Sequence, residues 1–110
     1  MDYRFHHLGI PIKAPIEGMI RLPHLKVQVT DHESNPFGIQ WMYFEDDSTY
    51  PKIVQELPHA AFEMDDLYQA IAGKKVIIPP NSPTPGVLVA FIEEVGAPVE
   101  LLQILSSEES

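Results

Sequence analysis

Residues 59–74, HAAFEMDDLYQAIAGK, combine a short strand with a short helix, and this combination sets the pattern for the rest of the chain. HAAFEM has strand character, and Asp65 or Asp66 is a favourable N-cap for the helix that follows. Gly73 is placed to end that helix, and lysines follow at the negative end of its dipole. The helix brings three apolar side chains to one face: Leu67, Ala70 and Ile71.

The segment YPKIVQEL, which precedes this stretch, could hold one or two helical turns. Three more strands are predicted after the helix: KKVIIPP, which its prolines are expected to end, VLVAFIEE and VELLQIL, with NSPTPG as a proline-rich connection. The second half therefore predicts strand, helix, strand, strand, strand. The first half predicts strands over 3–10, 25–30 and 39–45, but prolines and a glycine between the first two make a helix there unfavourable. We therefore expect an α+β fold with two βαβββ-like modules, the first one truncated. The modules would form a curled mixed β-sheet around a metal- or ligand-binding cleft.

The length of 110 residues is typical of one domain. We expect a single domain over residues 1–110, with a shortened first module over 1–50, a second module over 51–105 and a tail over 106–110. A small sheet of short strands leaves edges exposed, which favours a homodimer.

Composition limits the partners. The net charge of −9 argues against nucleic acid and against an anionic membrane surface, because both require clustered basic residues. The chain has no cysteine, so it has neither disulfides nor a thiolate metal site. It has no apolar run of about 18 residues, so no membrane span is predicted. The first residues, MDYR, lack the pattern of a secretory signal, and we expect a cytoplasmic protein.

Four polar residues occupy strand positions whose same-face neighbours are apolar. In the first strand His7 shares a face with Phe5 and Gly9, whereas His6 lies on the other face. If the two modules pair about a pseudo-twofold axis, a histidine and an oxygen donor from each half converge: His7, Gln40, His59 and Glu100. Burying such groups is costly without a partner, and this donor set suits a divalent Zn, Ni, Co, Mn or Fe ion.

The pattern resembles the vicinal oxygen chelate superfamily, which includes glyoxalases, bleomycin-resistance proteins and extradiol dioxygenases. The resemblance is carried by HHLGIPI in the first strand, by PHAAFEMDDL at the start of the second module, and by VAFIEEVGAPVELLQI at the end. It implies metal ligands at His7, Gln40, His59 and Glu100, on the first and last strands of each module. By similarity to the glyoxalase branch, Glu100 would also be the catalytic group that carries the substrate proton.

The resulting functional hypothesis is a metal-dependent lyase or isomerase that acts on a small oxygenated metabolite by proton transfer at a metal-bound carbonyl. Phe5 shares the face of His7, and Met42 and Phe44 share the face of Gln40, so these three are candidates for a substrate pocket. Two alternatives use the same cleft. One is a protein that sequesters a small molecule without turnover, and the other is an iron-dependent ring-cleaving dioxygenase, whose sites typically contain two histidines and one carboxylate. His32 is expected in solvent.

Overall fold

The computed structural model describes residues 2–105, so the predicted tail over 106–110 lies outside the described residues. These residues form eight strands and two short α-helices, together with one turn of 3-10 helix at His32–Ser34. In order, these are β1 (Arg4–Ile12), β2 (Ile20–Leu22), β3 (Val27–Val29), β4 (Ile39–Phe44), α1 (Lys52–Glu56), β5 (His59–Glu63), α2 (Leu67–Ile71), β6 (Lys75–Asn81), β7 (Val87–Glu94) and β8 (Ala97–Ile104). Within the described part of the chain, no helix has the length and apolar character to cross a membrane.

All eight strands belong to one mixed sheet in the order β2-β3-β4-β1-β5-β8-β7-β6. β1 is parallel to β4, and β5 is parallel to β8. β1 and β5 are antiparallel neighbours at the centre of the sheet, and the remaining pairs are antiparallel. The α+β class and the mixed sheet agree with the sequence-based expectation.

The sheet curls around a cavity of about 630 Å³. Strands β2 and β6 lie at opposite edges of the sheet, yet Ile20 on β2 and Ile78 on β6 line the same cavity. A flat sheet would hold its two edges far apart, because each strand adds about 4.8 Å to its width. The shared cavity therefore requires a strong curl, and the inner face of the sheet forms its wall.

Alternation along the strands divides the core between the two faces of the sheet. On β7, Val89 and Phe91 point to the inner face, and Ala90 and Ile92 point to the outer face. Helix α2 covers the outer face around β7 and β8, with Leu67 fully buried. Helix α1 packs on the inner side through Val54 and Val89.

The α2 boundaries follow from local chemistry. The Asp66 side chain accepts a hydrogen bond from the backbone N–H of Gln69, which confirms an N-cap at this aspartate. Gly73 follows the helix with a φ of 76°, a conformation that side-chain-bearing residues rarely adopt. The predicted helical turns in YPKIVQEL are also confirmed, as α1.

Two edge strands differ from the sequence-based expectation. β2 lies inside the segment that was expected to be irregular, where it pairs with β3 as an edge strand. β6 continues through Pro79 and Pro80 to Asn81, although the prolines were expected to end it. Proline lacks a backbone N–H, and an edge strand accepts it because one side of such a strand needs no sheet hydrogen bonds.

Candidate metal centre

Three adjacent strands bring His7, His59 and Glu100 together on the inner face of the sheet. His7 on β1 lies opposite Ala61 on β5, and Ala61 in turn lies beside Glu100 on β8. Ala61 is fully buried and has only a methyl side chain, so the longer side chains on either side of it can meet above it. His59 stands two residues before Ala61 on the same face of the strand.

The three side chains are in close contact and almost completely buried. His59 Nε2 lies 2.9 Å from Glu100 Oε1, which is a hydrogen-bond distance. His7 Nε2 lies 3.4 Å from the same oxygen, without hydrogen-bond geometry. The donor atoms of all three residues lie within 4.8 Å of one another, so the group could hold a metal ion.

Gly9 makes room for the His59 ring. The two residues face each other across the β1–β5 pair, and a Cβ atom built on Gly9 would overlap three ring atoms of His59. Only a residue without a side chain permits this approach of ring to backbone. A glycine inside a predicted strand is a sequence signal for such a contact, although it does not reveal the partner.

A β-bulge turns His6 toward the cavity as well. Phe5 pairs with Phe62 and His7 pairs with Ala61, so β1 has one extra residue, His6, at this point. The alternation of side chains between the two faces of β1 is broken at this bulge, so both His6 and His7 line the cavity. The expectation that His6 lies on the opposite face is therefore wrong.

The two neighbouring histidines are in hydrogen-bond contact. His6 Nδ1 and His7 Nδ1 are 2.7 Å apart, so one of them donates a proton to the other. His7 Nε2 lies 3.4 Å from Glu100 Oε1 and has no partner with hydrogen-bond geometry among the described residues. If His7 Nδ1 is the donor in the contact with His6, His7 Nε2 carries a lone pair and can bind a metal ion. Burial and the adjacent His7 and His32 lower the pKa of His6, which suits His6 as the neutral acceptor.

Glu100 is a buried anion without a lysine or arginine partner in residues 2–105. Its ion-pair contacts are with His7 and His59 alone. Burial by itself raises the pKa of this carboxyl group, but the hydrogen bond from His59 and the proximity of His7 outweigh it and hold the pKa at about 2. A buried negative charge with only imidazole partners is stabilised further when a cation is bound.

These observations fit a transition metal ion. His7 Nε2 is buried 3.4 Å from Glu100 Oε1 without a hydrogen-bond partner among the described residues. In the tautomer with its proton on Nδ1, His59 would offer Nε2 as a second imidazole donor in place of its hydrogen bond to Glu100. With the Glu100 carboxylate, this gives a set of two imidazoles and one carboxylate, which suits Zn, Ni, Co, Mn or Fe. His59 Nδ1 is also buried without a partner among the described residues.

Of the other predicted site residues, Gln40 and Met42 line the cavity, whereas Phe44 does not. Gln40 lies beside Gly9 in the β1–β4 register and lines the cavity, but its carboxamide has no hydrogen bond to the three-residue group in the described structure. Met42 is buried and also lines the cavity. Phe44 packs against Tyr50, behind the cavity wall.

Phe5 lies outside the cavity. Its ring is 58% exposed and packs edge-on against Phe62, which contacts the outer core around α2. The bulge at His6 is the physical reason, because it removes Phe5 from the face of His7. Phe5 is therefore not a pocket residue in this structure.

Two residues near the site were not singled out as part of it by sequence reasoning. His32 was expected in solvent, but its ring lies against that of His6, with ring centroids 4.3 Å apart. Tyr50 lines the cavity, and burial, together with the charge of Glu100, raises the pKa of its hydroxyl to about 12. Neither position has a sequence signal, because both residues lie outside the strands, where side-chain alternation does not apply.

Comparisons with known proteins bear on the fold. No protein-family model matches the chain, and no curated protein matches it. Among solved structures, the chain is similar to the crystal structure of the hypothetical protein BH1468 from Bacillus halodurans C-125, with a TM-score of 0.68. The match covers 97% of this chain and 98% of that chain at 16% sequence identity. At this identity the similarity shows that the two proteins share a fold.

Proposed function

We propose that the chain is a metal-dependent enzyme of the vicinal oxygen chelate type, a lyase or isomerase that moves a proton on a small oxygenated molecule. The single observation that carries the proposal is the buried group of His7, His59 and Glu100, which adjoins the cavity inside the curled sheet. A structural role alone does not require two imidazoles to surround a buried carboxylate that lacks a cationic partner.

The strand connections support the two-module interpretation that goes with this proposal. In each half of the chain the first strand is parallel to the last, β1 with β4 and β5 with β8. The sheet order from one edge to the centre, β2-β3-β4-β1, corresponds to the order β6-β7-β8-β5 from the other edge. Helix α2 follows β5, whereas the segment between β1 and β2 contains no helix, as a truncated first module requires.

A divalent ion bound by His7, His59 and Glu100 would supply a positive charge that polarises a carbonyl oxygen and makes the adjacent C–H bond more acidic. The two histidines would fix the site, and His6 would accept the proton of His7 Nδ1 so that His7 Nε2 is free to bind the ion. Gln40 is the candidate for a fourth ligand, since it lines the cavity next to Gly9.

Glu100 is the group that would accept and return the substrate proton. A carboxylate is a weak base, so it is effective only toward a carbon whose acidity is raised strongly. Its negative charge is present at every physiological pH, which keeps it available both as a ligand and as a proton acceptor. Gln40 carries an amide, which does not accept a proton in this pH range.

The test is exchange of substrate hydrogen for deuterium in heavy water, followed by NMR with hemithioacetals and α-hydroxy ketones as candidate substrates. The protein loaded with Zn, Ni, Co, Mn or Fe is expected to catalyse exchange, and Glu100→Gln is expected to abolish it, because the amide keeps an oxygen ligand but accepts no proton. Glu63→Gln on β5 is the matched control and should keep full activity. Equal exchange by the wild type and Glu100→Gln would contradict the proposal.

One observation favours a second candidate, an iron-dependent dioxygenase. The three residues in contact are two histidines and one carboxylate, the set typical of non-haem Fe(II) oxygenases. Oxygen uptake with catechols by the Fe(II)-loaded protein, without deuterium exchange, would select this candidate. If the protein binds small molecules without metal and without turnover, both enzymatic candidates are wrong and the protein sequesters its ligand.

We further propose that the protein is a homodimer. Several large apolar side chains are exposed on the described surface, including Tyr3, Phe5, Phe37 and Tyr68, and β2 and β6 are edge strands. Light scattering after size-exclusion chromatography is expected to give twice the chain mass, and a value equal to one chain would contradict it.

A further inference from the structure

The cavity is lined mainly by apolar side chains. Aliphatic residues from both edges of the sheet belong to the wall, among them Ile20, Leu22, Val29, Ile78, Val87 and Val89. His6, His7 and Glu100 line the cavity at the candidate metal centre, and further polar lining residues, such as Tyr50, Asn81 and Thr84, are uncharged except for Asp31. A ligand whose polar group lies at the metal centre would therefore place most of its remaining surface against hydrocarbon.

The wall contains no lysine or arginine among residues 2–105; its only carboxylates are those of Asp31 and Glu100. Alternation along β2 shows how one cation is kept out: Ile20 and Leu22 line the cavity, whereas Arg21 between them pairs with Glu45 outside it. A negatively charged ligand group on this wall would lose its hydration without gaining a counter-charge. The net charge of −9 repels anions further.

We propose that the cavity binds an uncharged, largely apolar molecule, with oxygen donors at the His7–His59–Glu100 end and a hydrocarbon or aromatic tail along the aliphatic wall. This inference rests on the proposed metal centre for the position of the oxygen donors. The cavity volume of about 630 Å³ is in the range of sites that enclose whole organic molecules, and it exceeds what a three-carbon metabolite fills. Glutathione adducts, coenzyme A thioesters and sugar phosphates are excluded, because each carries anionic groups that this wall does not neutralise.

The first experiment uses hydroxamic acids, which are neutral at pH 7 and present two oxygen donors to a metal ion. The metal-loaded protein is titrated with acetohydroxamic acid, octanohydroxamic acid and suberic acid monohydroxamic acid. Each added methylene that is buried should tighten binding roughly fourfold, from the transfer free energy of a buried CH₂. Octanohydroxamic acid should therefore bind at least 100-fold more tightly than acetohydroxamic acid. Suberic acid monohydroxamic acid, with the same number of carbons and a terminal carboxylate, should lose most of this gain.

Equal affinity for all three hydroxamic acids would overturn the inference, because it would mean that the tail stays in solvent. Tighter binding of the carboxylate-terminated compound would overturn it as well, since it would reveal a cation in the cavity that the structure does not place there. Both results would leave the proposed metal-dependent function intact.

The second experiment does not depend on metal. Nile red, a neutral fluorescent dye, is titrated into chelator-treated protein and then displaced by octanamide or by octanoate. Octanamide is expected to compete at least tenfold more strongly than octanoate. Absence of dye binding, or stronger competition by octanoate, would overturn the inference. Failure of the proposed function would appear separately, as a protein that binds the dye but holds no stoichiometric metal.

Two lysine variants test whether the aliphatic wall of the cavity determines the binding preferences. Ile20 lines the cavity and is 60% exposed, so Ile20→Lys places a cation there without disturbing the core. It should weaken octanohydroxamic acid binding and strengthen suberic acid monohydroxamic acid binding, each by about tenfold. Val95→Lys makes the same kind of change at a fully exposed position outside the cavity and should alter neither. If the two variants had the same affinities for both hydroxamic acids, the inference that the ligand tail lies along the wall at Ile20 would be wrong.

Discussion

The two halves of the sheet are connected alike but packed differently. The half built from β5 to β8 has α2 on its outer face and contributes nearly all of the buried apolar residues. In the half built from β1 to β4, Val27 and Met42 are the buried large hydrophobic residues within the described structure. The second half therefore supplies most of the stability, and the first half supplies one wall of the cavity.

The difference shows how a small domain can separate stability from ligand binding. His7, His6, Gly9 and Gln40 all come from the half with the thinner core, whereas His59 and Glu100 come from the well-packed half. Changes on β2, β3 or β4 can reshape the cavity at little cost to the main core. Changes to the core around α2 affect the whole molecule.

The largest expected effect is on stability, from Leu101→Ala in the second half. Leu101 is 1% exposed and packs in the core with Met64 and Leu67, so its truncation leaves a cavity and should cost about 2–5 kcal/mol of unfolding free energy. Leu22→Ala, at a half-buried edge position of the first half, should cost about 1 kcal/mol or less. Urea unfolding measures both, and equal losses would contradict the division between the halves.

The second largest effect is expected at the contact between the halves, where Gly9 on β1 faces the His59 ring on β5. In Gly9→Ala the new methyl group collides with the His59 ring, which should destabilise the protein by about 1–3 kcal/mol and weaken metal binding. The double variant Gly9→Ala/His59→Ala removes the ring, so the stability cost of Gly9→Ala should largely disappear in that background. A cost that persists without the ring would show that the contact is not the cause.

The sequence predicted those features that depend on local chemistry. The strand positions of β4, β5, β7 and β8 and the capped helix α2 follow from alternation and capping. Alternation also identifies His7, His59 and Glu100 as polar groups with apolar neighbours, but their grouping as metal ligands came from the resemblance to the vicinal oxygen chelate superfamily. The bulge at His6 could not be predicted from the sequence, because the extra residue is defined only by how β1 pairs with β5. The same bulge explains why Phe5 was placed on the wrong face. Proline obscured the edge strand β2 and the end of β6, because the tolerance of a strand for proline depends on its position in the sheet.

A smaller effect is expected from His6→Phe, which keeps an aromatic ring but removes the acceptor for His7 Nδ1. Without that acceptor the tautomer of His7 is no longer fixed, and metal affinity should fall about 10-fold. His24→Phe, at an exposed loop position, is the matched control and should leave metal affinity unchanged. Calorimetric titration with zinc makes the comparison, and equal affinities in the two variants would remove His6 from the centre.

The smallest effect concerns an ion pair of the first half. The Arg21 guanidinium donates two hydrogen bonds to the Glu45 carboxylate and lowers the pKa of that carboxyl group below 4.5. A lowered carboxyl pKa contributes stability above the unfolded-state value and loses it as the pH falls through the folded-state value. Arg21→Gln should therefore lower the unfolding midpoint slightly at pH 7, and the difference from wild type should disappear as the pH falls through the folded-state pKa of Glu45.

The matched control for the ion pair is Lys74→Gln in the second half, whose pairing with Glu94 is a single contact of 3.2 Å between exposed side chains. It should change the midpoint less than Arg21→Gln does at pH 7. A difference between Arg21→Gln and wild type that stays constant from pH 7 to pH 3 would show that the ion pair is not its source.

The most direct test of the central claim is metal stoichiometry by elemental analysis, after incubation with zinc, nickel, cobalt, manganese or iron and removal of free ions. One ion per chain is expected for the wild type, and loss of that ion is expected in His7→Ala from the first half and in His59→Ala from the second. A wild-type protein that retains no ion, or an ion retained at full stoichiometry in both variants, would contradict a centre shared by the two halves.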